Sequence, residues 1–496
     1  MDNDSTGRSR RAPTAKTTLR IILALALLAA AVAGYLRSLR PAPPAPEEER
    51  RPTGPLRVHP ANPRYFADAS GRAVYLTGSH VWNNLLDGVD QGACPAAPES
   101  DYDAYLDLLE ERRHNFIRFW RWELTKYTYE GPESCTAPHP WPRTGPGTAL
   151  DGKPKFDLSK FDEKYFARVR SRAIAASRRG MYVSIMLFEG HGMTNSLPPW
   201  RSDGHPFNAA NNVNGINGDP NGDGYVTETH TLGDPAITAL QQAYVRKLVD
   251  SVNDLDNVLY EISNESPPGS EAWQYEMIRL LKDYEAGKPK SHPVGMTAQY
   301  PGGSNQHLID SPADWISPNQ EGGYDGDPPP ASGHKVVIVD TDHIWGEGGD
   351  ETWVWKMFTR GLHPIFMDGG LLELPAPTTD WRHRPRTAMG HTLTYAKKLD
   401  LAAAAPRGEL SSTGYALAAP GSEYLVYQPV AGQFAVDLAP GTYSLEWLNP
   451  DDGAVSSRQT ITAEGGPESF TAPFASDAVL YLESLENERR QGDAAG

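Results

Sequence analysis

The sequence predicts a (β/α)8 TIM barrel, an α/β fold, followed by a small antiparallel β-sandwich domain. Three observations carry that expectation. Short apolar runs rich in β-branched and aromatic residues alternate with amphipathic helical stretches, the pattern of βα units around a parallel sheet. Eight such units can be traced, the number that closes a barrel. From about Arg407 the pattern changes to short alternating strands divided by Gly, Pro and Asp turns, as an antiparallel sandwich requires.

The chain begins with Arg8, Arg10, Arg11, Lys16 and Arg20 ahead of an apolar run from Ile21 to Leu36. That run is shorter than the roughly 20 residues of a comfortable membrane span, so it reads as a signal anchor or a signal peptide. Residues 1–20 then form a basic N-terminus kept on the cytoplasmic side. Residues 37–55, with PAPPAPEEERRP, read as an extended Pro-rich linker that holds the folded part off the membrane. The expected protein is exported, and is either membrane-anchored by this segment or secreted after its cleavage.

The barrel is expected over residues 56–402. Its strand candidates are AVYLTGSHVW from Ala73, NFIRFWRW from Asn115, MYVSIMLFEG from Met181 and NVLYEISNE from Asn257. PVGMTAQ from Pro293, DWISPNQ from Asp314, KVVIVDTDH from Lys335 and HPIFMDGG from His363 complete the set. Between them, stretches such as YDAYLDLLEERR and PAITALQQAYVRKLVDSVND repeat apolar residues three and four apart, as a helix laid on a sheet does. An open, doubly wound sheet is disfavoured because TGSHVWNN, not a Gly-rich phosphate loop, follows the first strand. Residues 407–485 form the expected sandwich, and residues 486–496 read as a disordered tail.

A formal net charge of -17 argues against nucleic acid, which needs a basic footprint. The 12 Trp and 22 Tyr allow a large core and also suit sugar, whose ring faces stack on aromatic side chains. Export permits a disulfide, and Cys94 and Cys135, the chain's 2 cysteines, are expected to bridge two loops at the barrel mouth. Asp219, Asn221 and Asp223 precede Gly224 at alternate positions, resembling an EF-hand-like calcium loop. Its twelfth position holds His230 instead of a bidentate Glu, and an Asx/Gly turn explains the same residues. Any calcium here would be structural; the expected chemistry requires no cofactor.

Strand C-termini of a barrel converge on one mouth, where active sites sit. Polar or aromatic residues stand at several of these ends, among them His80, Trp82, Arg118, Trp120, Glu189 and His191. Asn264 and Glu265 close the fourth strand, while Asp340, Asp342 and His343 end the seventh. Glycoside cleavage needs one protonated carboxyl at the leaving oxygen and one ionised carboxylate at the anomeric carbon. A retaining enzyme holds them about 5 to 5.5 Å apart, a gap that opposite sides of a barrel mouth can set.

Asn264-Glu265 resembles the glycoside hydrolase clan A pattern, in which an Asn-Glu pair ends strand four and the Glu is the acid/base. The resemblance implies a nucleophile on strand seven and a strand-two Arg, here Arg118, that holds it ionised. Clan A usually places a Glu on strand seven; this sequence has Asp342 and Asp340. Asp342 is nearer the strand end and is the first choice as nucleophile; Asp340 would then orient it or be the true catalytic group. RYFADASGRAVYLTGSHVWNN, NFIRFW, NVLYEISNES and KVVIVDTDHIWG resemble the apiosidase-like (DUF4038) group. Its members often carry a C-terminal domain named for collagen binding. That resemblance implies a glycosidase acting on a polysaccharide or glycan. From their places at the strand ends, Asn264, Arg118, His80, Trp82, Trp120, Glu189, His191 and His343 are the candidate residues around the sugar.

The rival expectation is a non-catalytic glycan- or matrix-binding surface protein on a barrel scaffold, prompted by the missing strand-seven Glu. A peptidase ranks last, because the chain has neither HExxH nor GxSxG.

Overall fold

Eight parallel strands form the central sheet: β1 (Gly78–His80), β2 (Phe116–Phe119), β3 (Tyr182–Glu189), β4 (Val258–Asn264), β5 (Val294–Thr297), β6 (Trp315–Ser317), β7 (Val336–Asp340) and β8 (His363–Met367). This computed structural model describes residues 51–90, 101–129, 133–372 and 380–486. The apolar run from Ile21 to Leu36, Cys94 and most of the expected tail lie outside them. Neighbouring strands pair in the order β1-β8-β7-β6-β5-β4-β3-β2. The circle closes at Asn115, whose backbone N–H donates to Thr77 O (3.1 Å) and whose amide donates to Tyr75 O (2.8 Å). Gly78 permits that approach, since a Cβ there would stand 2.2 Å from Phe116 O.

Each sequence run supplies a barrel strand, with one change of boundary. The run from Ala73 is divided: Ala73–Val74 joins a small antiparallel sheet with Arg57–Val58 and Phe66–Ala67, and only Gly78–His80 enters the barrel. Helices α1 (Tyr102–Glu111), α2 (Glu163–Arg178), α3 (Pro235–Val252), α4 (Glu271–Glu285), α5 (Asn305–Asp310), α6 (Glu351–Thr359) and α7 (His383–Lys398) follow all strands but β6. Residues 318–335, after β6, contain no helix. Asp101, Asp162, Asp234 and Asp350 cap α1, α2, α3 and α6 by accepting from first-turn N–H groups.

Strand alternation divides the core in two. Leu76, Phe116, Tyr182, Leu259, Ile338 and Ile365 point inward as one apolar cluster. Their neighbours Ile117, Val183, Val258, Val337 and Phe366 join the cluster beneath the helices. Continuing the inward parity toward the strand ends leads to His80, Arg118, Glu261 and Asp340, all buried. The barrel thus carries a charged layer directly above an apolar one.

The C-terminal strands are β9 (Ala405–Pro406), β10 (Ala416–Ala419), β11 (Glu423–Gln428), β12 (Gln433–Leu438), β13 (Gly441–Leu448), β14 (Gln459–Ala463), β15 (Gly466–Thr471) and β16 (Ala478–Ser484). Six of them form one antiparallel sheet and β12 pairs with β15 in a second. Tyr424, Val426, Leu480 and Leu482 face the core shared with Phe434 and Val436. The intervening Leu425, Tyr427, Val479 and Tyr481 belong to the barrel cluster. Tyr427 stacks on Trp355 of α6 at 6.0 Å, and Tyr481 meets Tyr395 of α7 edge-on at 5.7 Å.

Between β1 and α1, and again between β2 and α2, the chain adds structure that the sequence reading left out. Asp87–Asp90, Lys126–Tyr127 and Ser134–Ala137 form an antiparallel sheet, and Arg143–Thr148 pairs with Pro154–Phe156. Cys135 lies in the first of these sheets and is disulfide-bonded. The expected bridge pairs it with Cys94, which lies outside the described residues.

Candidate active site

Arg118 organises the floor of the mouth. Its Nε and Nη2 donate to the two Glu261 oxygens at 2.7 and 2.6 Å, a bidentate pair. Nη2 also donates to Asn264 Oδ1 (2.5 Å), and Nη1 donates to Asp340 Oδ2 (3.0 Å) and Asp342 Oδ2 (2.9 Å). The guanidinium is 2% exposed, so these bonds act with little screening by water. His80 Nε2 meets Asp340 at 2.9 Å, and the His80 ring stacks on Trp120. Asp340 Oδ1 also accepts the backbone N–H of Asp342 (3.0 Å) and so caps the short turn Thr341–His343.

The turn separates the roles of the two aspartates. Asp340 is fully buried, with both oxygens engaged below the mouth; Asp342 lines a cavity of about 530 Å³ together with Glu265. Of the other sequence candidates, Trp82, Trp120, His191 and His343 also line that cavity. Arg118, His80 and Asn264 lie in the network beneath, whereas Glu189 is buried behind His191. Asn264 Oδ1 accepts from Arg118, and its Nδ2 is buried with no partner among the described residues. His343 bridges Asn264 Oδ1 (3.1 Å) and Ser317 Oγ (2.8 Å) through its two ring nitrogens.

Glu265 holds a left-handed backbone, φ 45°, a conformation that costs a non-glycine residue about 1–3 kcal/mol. Its neighbours hold it there. Ser266 Oγ contacts His230 Nδ1 (2.9 Å) and donates to Ser263 Oγ (2.6 Å). His230 in turn lies 3.4 Å from Glu123, which also binds His205 (2.8 Å) and Arg121 (3.2 Å). Gly190, at the end of β3, has a Cβ position 2.5 Å from Ser266 Cα and 2.6 Å from Glu265 O; any side chain would displace this turn. The close approach delivers the next residue, His191, to the carboxyl: Nδ1 donates to Glu265 Oε2 at 2.7 Å.

Burial shapes the proton affinities of these groups. It pushes the Asp342 carboxyl up, and the Glu265 charge adds to that push against the pull of Arg118. Burial would also raise Asp340, but His80 and Arg118 hold it below the usual carboxylate range. Burial alone would lower His191; the hydrogen bond and charge of Glu265 outweigh it and raise the imidazole to about 9. Burial and the charge of Arg118 depress His343 to about 3, so it stays neutral. Glu189, with Oε1 accepting from Gly192 N–H and Oε2 unpartnered, is raised by burial to about 8.

The sequence reading missed Glu261, the Glu123–His230–Ser266 brace, and the aromatic wall of Trp122, Tyr127, Tyr129, Tyr300 and Trp345. Glu261 carried a readable signal, a charge inside an otherwise apolar strand. The wall comes largely from loops, where no periodicity points to it.

Among the described residues, Asp340, Asp342 and His343 bring three possible metal-ligand atoms together. Arg118 already supplies a positive charge to both of those carboxylates. In the loop read as a calcium candidate, Asp219 accepts from the N–H groups of Gly222, Asp223 and Gly224. Asn221 turns its amide nitrogen to Asp223 (3.0 Å) and Glu228 (2.5 Å), an internally bonded Asx turn.

A family model described as a domain of unknown function, DUF6298, matches residues 134–300. It is a different group from the DUF4038 proteins that the sequence segments resemble. No curated protein matches the chain in sequence. Solved structures share the fold. One described as a glycoside hydrolase aligns with TM-score 0.56 and 13% identity over 90% of this chain and 99% of its own. A family 5 glycoside hydrolase from Bacteroides vulgatus gives 0.56 and 13% over 89% and 95%. A putative glycoside hydrolase from the same organism gives 0.55 and 15% over 87% and 82%.

Proposed function

We propose that the chain is a glycoside hydrolase that cleaves a polysaccharide or glycan by a retaining, two-carboxylate reaction. The observation that carries this reading is that Glu265 and Asp342, from β4 and the turn after β7, line one aromatic-walled cavity. Glu265 protonates the leaving oxygen while Asp342 attacks the anomeric carbon, forming a glycosyl-enzyme ester. Glu265 then takes a proton from water as that water attacks the same carbon and releases Asp342. Arg118 stabilises the carboxylate of Asp342 as it leaves, and the unpartnered Asn264 Nδ2 is available to donate to a sugar hydroxyl.

Two close carboxyls titrate as a pair. Burial, and next the charge of Glu265, push the Asp342 carboxyl up. That direction favours a second assignment, with Asp342 as acid and Glu265 as nucleophile. Mass spectrometry of the enzyme trapped with a 2-fluoro glycoside identifies which residue carries the sugar. Glu265→Gln should lower hydrolysis about 100-fold to 10,000-fold while leaving the thermal transition in place. Full activity in that variant would sink the reading and favour a scaffold that only binds glycan.

The DUF4038-like segments support membership of an apiosidase-like group, and the apolar run from Ile21 to Leu36 supports export, by anchor or by cleaved signal. The disulfide at Cys135 is in keeping with an oxidising compartment. The reaction calls for no cofactor, and calcium at Asp219, Asn221 and Asp223 would serve the loop only.

A further inference from the structure

In glycoside cleavage the acid must reach the oxygen that departs, so the leaving group lies on the acid's side of the cavity. A ring fixed beside Glu265 therefore stands where the leaving group will be. Tyr300, in the turn after β5, is such a ring. Its backbone N–H donates to the carbonyl of Ser266, the residue after Glu265 (3.2 Å). Gln299, buried at 3% exposure, fastens the same two turns a second time. Its Nε2 donates to Pro267 O (3.2 Å) and Ser270 Oγ (3.0 Å), and its Oε1 meets His307 Nδ1 at 3.1 Å. The Tyr300 ring lies over His191, with 5.7 Å between ring centres, and His191 holds Glu265 Oε2 at 2.7 Å.

The other rings of the wall differ in exposure. Trp120, Trp122 and Tyr127 are nearly covered by protein, and Trp122 stacks on Tyr127 at 4.3 Å. Tyr300 lines the same cavity but keeps 42% of its surface open. Its backbone is already held, so little ordering is needed when a partner covers the ring. The C–H face of a sugar is such a partner, since it removes apolar aromatic surface from water. We propose that Tyr300 is the stacking platform for the leaving-group sugar, so that the site is built to cut between two sugars; the proposal rests on the glycosidase reading with Glu265 as acid. Stacking there holds the departing oxygen against Glu265 as the glycosidic bond breaks. Its benefit then enters the rate constant of substrates that carry a second ring.

Trp345 occupies the matching place on the other carboxyl's turn. It lines the cavity at 41% exposure, its N–H donates to Thr341 O (2.8 Å), and its ring meets Trp353 edge-on at 5.6 Å. Were Asp342 the acid, the leaving sugar would meet Trp345 instead.

The test compares glycosyl fluorides, whose leaving group has no ring, with disaccharides of the same sugar: glucose, galactose, mannose, xylose and arabinose. For a sugar that is hydrolysed, the ratio of kcat/KM on the disaccharide to kcat/KM on the fluoride should fall about tenfold or more in Tyr300→Ala. Tyr300→Phe, which keeps the ring, should restore the ratio. An Ala variant with an unaltered ratio would overturn the inference and leave the glycosidase reading intact, as would a Phe variant that falls as far as the Ala one. A fall in Trp345→Ala with none in Tyr300→Ala would overturn it too, and move the acid to Asp342. If the unaltered protein hydrolysed no fluoride and no disaccharide, the glycosidase reading would go, and the inference with it.

Discussion

His191 Nδ1 and Glu265 Oε2 stand 2.7 Å apart, joining the turn after β3 to the left-handed residue after β4 in one hydrogen-bonded unit. The imidazole is raised to about 9 by that contact. Its sign is that of a histidine gaining an anionic partner. The ion pair's stabilisation is fully present below the unfolded value near 6.5 and is lost as pH rises through about 9. We expect the kcat/KM profile to show a limb near pH 9 that is absent in His191→Asn. A limb that persists unchanged in the variant would assign it to another group.

Arg118 joins three carboxylates and Asn264 while almost fully buried. Replacing it by Met leaves Glu261 without its bidentate partner and Asp340 with His80 as its remaining side-chain partner. Loss of one partner from a buried ion pair costs about 3–5 kcal/mol. Urea denaturation of Arg118→Met should show a loss of that order, and Arg118→Lys, which keeps the charge but not the fork, an intermediate one.

Glu189 is a fully buried carboxyl raised by burial to about 8. The folded state therefore holds a proton that the unfolded chain releases near 4.5, and folding stability falls as pH climbs between those values. Each tenfold difference in proton affinity between folded and unfolded chain is worth about 1.4 kcal/mol. Glu189→Gln should match the wild type at pH 5 and gain on it by up to several kcal/mol at pH 8. Thermal denaturation at the two pH values reads the difference directly; a constant offset would disprove it.

The sandwich is docked through aromatic contacts, so it should affect the stability of the barrel. Trp355 is buried between α6 and the sheet and stacks on Tyr427. Trp355→Ala should cost about 3–5 kcal/mol, as large aromatic truncations in cores do. Because one cluster spans the contact, tryptophan fluorescence and far-ultraviolet circular dichroism should report one shared transition.

The barrel was legible because its signals are local and repeated. A period of two along KVVIVD or NVLYEISN and a period near 3.6 along PAITALQQAYVRKLV are consequences of backbone geometry, so each segment declares its own type. The first strand was drawn too long because Ala73–Val74 and Gly78–His80 are both extended; only pairing partners tell a barrel strand from an edge ribbon. Glu261 lies inside the strand and away from its end, where site residues were sought, although its inward parity follows from Leu259. The brace from Glu123 through His230 to Ser266 joins residues more than 100 positions apart, a distance over which no spacing rule operates.

By itself, the sequence determined the fold class, the order of the elements and the carboxyls at the ends of the fourth and seventh strands. Those properties depend on side-chain periodicity and chain order alone. Tertiary structure decided which aspartate meets the cavity, because Asp340 and Asp342 are separated by a turn whose cap is the Asp340 side chain itself. It also decided the company Glu265 keeps: a glycine-enforced contact brings His191 within hydrogen-bond reach, and burial sets the proton affinities around it. Burial and pairing are properties of the assembled mouth, and they arise only when eight strand ends meet.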